Sequence, residues 1–529
     1  MSKKEINEAQ YLQKKDDSQS NKKIAAGVVA GYLYLILKIV SGFLFVPLIS
    51  KHFGQSVYGV YTLSTSFVGL FMIDIGLSAL ANRYLAQYRA MGKIQEINSL
   101  LGLIYKIYIF LSAVAFLAFF IGYFFIGFAF AGLNPDELVL FKEMYVISSL
   151  ASVFCFGMQG FDGVLNAYEE YFSIKMFSIA ERSIYIIFCS LAMYFDWSIV
   201  AIAAIYSCSS LVCYIGKYFV IRFRTKCKAD FKSNISKETL KELLSFSVWN
   251  LVVSICYRLS NYLANPILGI VSNSNNIAIY SVGAEIETYA FMISGVLNGL
   301  FIPKISRIFA LYESDERKIR LTKLAKEVGL LVSSLFMIML IGFACCGQEF
   351  IDVWMQDEGY SASYWVAVIL MFGQALCAPL VITNNALWFN KNIKYVAITR
   401  ISSLGVFVIL GFALGYFYGA IGLAISVSCG LVVRFALGIY LSKVRLGMYL
   451  ADFLCFTFVR QIPAWIILLL VGFSIHFFVP LSNIYRLIIC ACSISILAVP
   501  LYWFAVFPRY FRSELVQLLR SKKAKKPKI

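Results

Sequence analysis

Charged residues are what this chain has least of: they make up 14% of its 529 residues, against roughly 25% in soluble domains. With 60% of the residues hydrophobic, a soluble globular fold is excluded. The apolar stretches are too many and too long for a buried soluble core, and they place the chain in lipid. Acids are scarcer than bases, 29 against 47, for a net charge of +18. The bases sit in short loops between apolar stretches rather than on one face, which excludes nucleic acid as a partner. Of the two histidines, His52 falls in a short outside turn and His476 in a terminal span, and neither resembles a catalytic base or a metal ligand. The 13 cysteines show no metal spacing and no secreted framework, and read as small apolar packing residues. There is no GxxxxGK[ST] phosphate loop, no His/Cys/Asp cluster and no nucleophile motif. The expectation is therefore a protein that is not an enzyme and has no resident metal or cofactor. No cleavable signal is visible either: the first 23 residues are polar, so the first apolar stretch reads as a signal-anchor.

What is present is an all-α membrane pattern of about fourteen spans, each near the ~20 residues a bilayer requires. They fall at 24–50, 57–82, 100–131, 141–165, 175–195, 198–221, 243–271, 277–302, 327–349, 364–388, 396–416, 419–441, 458–479 and 485–507. Loop charge sets the orientation. The segment Arg222–Lys241 has seven Lys and Arg, Lys304–Lys326 has seven, and the C-terminal tail has eight. The intervening outside loops carry Asp136, Glu137, Asp352, Asp357 and Glu358 instead. Both termini are therefore expected in the cytoplasm. The tail's lysines are placed either to hold anionic headgroups or simply to set topology.

The pattern is written twice. VPLISKHFGQSVYGVYTLS begins at Val46 and NPILGIVSNSNNIAIYSVG at Asn265, with Pro47 and Tyr61 spaced as Pro266 and Tyr280 are, 219 residues later. DWSIVAIAAIYSC in the sixth span matches FYGAIGLAISVSC in the twelfth. Each copy has six spans, an even number, so the repeat is parallel, about an axis along the membrane normal. The expected parts are a cytoplasmic tail 1–23, an N-lobe 24–221, a basic cytoplasmic linker 222–242, a C-lobe 243–441, two extra spans within 442–507 and a basic tail 508–529.

An ionised side chain at mid-bilayer costs roughly 2.5–3.5 kcal/mol on insertion scales, so the ions at depth should face protein, water or each other. Lys38 and Arg258 occupy matching places in the lead spans of the two copies. They read either as an anion-gripping pair, Arg by its fork and Lys as a point charge, or as ion-pair partners of Asp74 or Glu285. Asn250, Ser254, Arg258, Asn261 and Asn265 recur at spacings of three and four, a polar stripe on one helix face that reads as a cavity wall. Tyr34, Lys38 and Ser41 form a shorter stripe, and Arg434 is deep enough to join a cationic surface. Asp74, Glu285 and Glu287 are placed to couple transport to Na⁺ or H⁺, or to offset the cations. Glu181, Arg182 and Arg400 are expected to snorkel to the headgroups.

FGQSVYGVYTL (Phe53 to Leu63), followed by Arg83, and FIDVWMQDEGYSAS (Phe350 to Ser363) resemble segments of bacterial polysaccharide flippases. Those belong to the multidrug/oligosaccharidyl-lipid/polysaccharide exporter superfamily. The resemblance implies two six-helix bundles plus two helices, alternating access in the bacterial plasma membrane, and a cationic cavity. The implied cargo is an undecaprenyl-diphosphate-linked oligosaccharide, as in O-antigen or capsule assembly. Lys38 and Arg258 would take its diphosphate, and glycosyltransferases or a polymerase of the same pathway would be partners. A drug/cation antiporter of the same superfamily is the second reading. A membrane polymerase or ligase would need a sizeable outer loop, which the sequence lacks.

Overall fold

The computed structural model describes residues 3–72, 77–225, 228–232, 237–295, 301–390, 392–478 and 482–513. Among them every regular element is helical. In lipid each backbone N–H and C=O must be paired, and a helix does so within its own segment. The chain forms two compact units, residues 1–277 and 278–529. The first holds α1 (Lys3–Phe53), α2 (Gln55–Phe71), α3 (Leu77–Ala90), α4 (Ile94–Ala129), α5 (Pro135–Gly157), α6 (Gly160–Ala167), α7 (Tyr171–Tyr194), α8 (Ile199–Val220), α9 (Lys237–Tyr262) and α10 (Ala264–Val271). α11 (Ser274–Gly295) begins at the boundary. The second unit continues with α12 (Ile302–Leu311), α13 (Ser314–Met355), α14 (Ser363–Cys377), α15 (Val381–Phe389), α16 (Ile393–Leu446), α17 (Leu450–Thr457), α18 (Ile462–Phe478) and α19 (Asn483–Leu501). The units part after α9 and α10, both of which pack against α2.

Among the described residues, ten helical segments are long and apolar enough to cross a membrane, where fourteen were expected for the whole chain. Span 57–82 covers parts of α2 and α3 and residues 73–76, and span 277–302 covers most of α11 and residues 296–300; those two stretches lie outside the described residues. Span 243–271 is divided into α9 and α10 within described chain. The remaining difference is α16, whose 54 residues hold two expected spans folded at Gly419 (φ 56°, ψ −130°). Beside that fold, a Cβ on Gly422 would sit 2.0 Å from the Leu414 carbonyl oxygen, so the turn closes only over glycine.

In the first unit α1 packs along α7, and α5 contacts α2, α4 and α8. Phe67, Phe119 and Phe141 surround Tyr145 with ring centroids 5.6–6.1 Å away. The Tyr145 hydroxyl is satisfied by donation to the Phe119 carbonyl at 2.8 Å, as a buried phenol requires. In the second unit α18 and α19 dock on α13 through Leu330, Ile341, Leu468 and Ile494. At one end of that seam the buried Glu349 carboxylate lies 2.7 Å from His476 Nδ1 and 3.3 Å from Arg486 Nη1.

Candidate anion site

Lys38 lies midway along the apolar part of α1, Ala26–Phe53. Its side chain is half-buried and makes no ion pair with another described residue. One turn on, the Ser41 hydroxyl donates to the Lys38 carbonyl at 3.0 Å and accepts from Arg182 Nε at 2.5 Å. Arg182 belongs to α7, and its guanidinium also lies 5.1 Å from the Tyr185 centroid. Its neighbour Glu181 accepts from Ser210 of α8. Tyr34, one turn before Lys38, is half-buried on the same helix. The short stripe Tyr34–Lys38–Ser41 thus stands beside a second cation that sequence reasoning missed.

Glu181 and Arg182 are expected from sequence to snorkel to the headgroups. α7 starts at Tyr171 rather than at 175, which puts Arg182 about 17 Å along the helix at 1.5 Å per residue. Both side chains bond to serines of neighbouring helices, Arg182 to Ser41 and Glu181 to Ser210.

Arg258 sits in the last turns of α9. Its Nε donates to the Gly69 carbonyl at 2.8 Å, and its guanidinium carbon is 4.4 Å from the Tyr262 centroid. Gly69 lies in the last turn of α2, where unpaired carbonyls and the negative end of the helix dipole favour a cation. The approach depends on that glycine, because a Cβ there would meet Tyr262 Cδ1 at 2.5 Å. Arg258 makes no ion pair with a described residue, and its two Nη groups donate to none of them. One edge of the fork therefore fixes the side chain, while the other donates to no described residue.

The rest of the stripe divides. Asn265 is buried at 8% exposure and donates to Ser66 Oγ at 2.9 Å, joining α10 to α2. Asn261 is exposed and donates to the Tyr257 carbonyl of its own helix at 2.8 Å. Asn250 and Ser254 are half-buried. In the second unit Glu285 accepts from Tyr289 Oη at 2.6 Å, and Glu287 and Arg434 are half-buried. Asp74 falls outside the described residues. So does the whole C-terminal lysine cluster.

A buried acid that the sequence placed in an outside loop also proves structural. Glu137 completes a capping box at the start of α5, accepting from the Asn134 amide at 2.9 Å. Its other oxygen accepts from Ser274 at 2.6 Å and from Ser56, which opens α2. Beside it a Cβ on Gly132 would lie 1.8 Å from the Ser272 carbonyl oxygen, so the α4–α5 turn sits directly on the turn after α10.

The family described as "Polysaccharide biosynthesis protein" matches residues 25–309. A comparison of the sequence with curated proteins returned no match. Among solved structures the fold is similar to that of a protein described as "Lipid II flippase MurJ, inward closed conformation". The TM-score is 0.65 at 15% identity, over 90% of this chain and 98% of that one. An inward-facing multidrug resistance MATE family transporter of the MOP superfamily gives 0.63 at 12% identity, over 78% and 94%. The Vibrio cholerae MATE transporter VcmN in its bent form gives 0.55 at 14% identity, over 83% and 99%. At these identities the likeness is one of fold.

Proposed function

The chain belongs to the polysaccharide biosynthesis protein family, and on that premise we propose that it carries an undecaprenyl-diphosphate-linked oligosaccharide from the inner to the outer leaflet of a bacterial plasma membrane. It does so by exposing its binding site to one face at a time, with both termini in the cytoplasm. The cargo serves a surface polysaccharide such as O-antigen or capsule, supplied and used by glycosyltransferases and a polymerase of the same pathway. The diphosphate is held by Lys38, Arg182 and Arg258 of the first unit, with Tyr34, Asn250, Ser254 and Asn261 as polar neighbours. Glu285 and Glu287 are the groups proposed to couple movement to Na⁺ or H⁺.

The single observation that carries this reading is the state of Arg258. A guanidinium within an apolar helix pair is costly, and a purely structural one would be expected to turn its whole fork to a carboxylate. Among the described residues, which do not include Asp74, Arg258 instead is fixed through Nε alone, and its Nη pair has the shape of the bidentate contact that phosphate oxygens make. The test is the double variant Lys38→Ala/Arg258→Ala, assayed for surface polysaccharide and for protein in the membrane. Loss of polysaccharide with normal protein levels supports the anion site. Normal export removes it.

A further inference from the structure

Lys142 runs against the charge pattern of the loops. It lies on α5, seven residues after Pro135 and so about 10 Å along the helix. This is the end of the bundle whose loop bears Asp136 and Glu137, on the face that the loop charges place outside. The large groups of lysines and arginines, at Arg222–Lys241 and Lys304–Lys326, lie in loops that the positive-inside bias assigns to the opposite face. Lys142 is half-buried and forms no ion pair with another described residue, Glu143 included.

The side chain is held in a defined place. Its Nζ lies 5.9 Å from the centre of the Tyr123 ring on α4, and a Cβ built on Gly127, one turn along α4, would be 4.0 Å from it. The ammonium therefore rests over the Tyr123–Gly127 face of α4, in the position of a cation on an aromatic ring. It borders a groove of about 610 Å³ walled by Tyr123, Lys142, Glu143, Val146, Ile147 and Val200. That volume is of the size that holds small ligands. Apart from the lysine, glutamate and tyrosine termini, its wall is aliphatic, and Val146 within it is exposed.

We propose that this groove binds one glycerophospholipid of the outer leaflet, its phosphodiester on Lys142 and an acyl chain along Val146, Ile147 and Val200. The Lys142 ammonium has no ion-pair partner among the described residues, and the neighbouring Glu143 in the groove wall does not pair with it, which leaves it free to meet the phosphate of a lipid. The aliphatic wall below the charge selects for a ligand that is anionic at one end and apolar at the other. The site is separate from Lys38, Arg182 and Arg258 and stands whether or not those residues bind cargo.

The test is native mass spectrometry of the delipidated full-length protein, with dioleoylphosphatidylglycerol, dioleoylglycerol and undecaprenyl diphosphate as probes. The phosphatidylglycerol adduct is expected to persist in the parent and in Lys142→Arg, and to fall about tenfold in Lys142→Gln. Dioleoylglycerol, with the same chains and no phosphate, should not be retained. Gly127→Leu, which keeps the charge but fills the place of the ammonium, should also weaken retention. Each variant is first checked for an unchanged melting temperature, and Gly127→Leu serves if Lys142→Gln fails to fold. Equal retention in the parent and both weakening variants overturns the proposal. Preferential, Lys142-dependent retention of undecaprenyl diphosphate overturns it too, by assigning the groove to cargo.

Discussion

Arg258 holds α2 through the Gly69 carbonyl and covers the Tyr262 ring, so substitutions there should separate charge from geometry. Arg258→Lys keeps the charge but loses both the Nε bond and the planar fork. A hydrogen bond to a charged group is worth about 1.5–3 kcal/mol, a factor of roughly 10–100 in affinity. Export by Arg258→Ala should fall by that factor, with Arg258→Lys restoring only a small part of it, measured as surface polysaccharide per unit of membrane protein. Equal export by the lysine and arginine forms would mean that only a point charge matters. Gly69→Ala tests the same contact from the other helix. Its Cβ would stand 2.5 Å from Tyr262, and overpacking of this kind costs about 1–3 kcal/mol. Both melting temperature and export should drop, although no charged residue has changed. At this scale the sequence was legible where a polar residue recurs on one helix face, as for Tyr34, Lys38 and Ser41. It was not legible where a partner comes from a distant helix. Nothing local to Arg182 announces Ser41, and nothing around Asn265 distinguishes a cavity wall from the bond it makes to Ser66.

Element boundaries decide more than element number. The apolar runs were read correctly as helices, because long apolar runs in lipid have no other solution. Breaks within them were not. α9 and α10 divide one expected span, since hydropathy averages over a window and does not see a single turn. The opposite error occurs at α16, where the chain reverses within one continuous helical assignment at Gly419 (φ 56°). The sequence YFYGAIGLA offers two glycines there, and both are required: one for its backbone angles, the other for the approach to Leu414. A side chain in that region of φ/ψ costs of order 1–3 kcal/mol. Gly419→Ala should therefore lower the melting temperature in detergent, while Gly405→Ala, with no atom within 4 Å of its Cβ position, should not. If the two variants melt alike, the turn is not strained as described.

For the molecule as a whole, composition and the repeat account for the architecture class, and the family match across residues 25–309 agrees with the resemblance read from Phe53 to Leu63 and Arg83. The +18 net charge reflects topology more than cargo, because most of it lies in loops. The part proposed to concern cargo is small: three half-buried cations on α1, α7 and α9 of one compact unit, none ion-paired to a described residue. The most direct test is the binding of undecaprenyl diphosphate to the purified protein, compared between the parent and the Lys38→Ala/Arg258→Ala double variant at fixed salt. Two charged contacts at about 1.5–3 kcal/mol each predict a loss of affinity of at least about 100-fold, with undecaprenol binding unchanged. Equal affinity of the two proteins for the diphosphate would contradict the account.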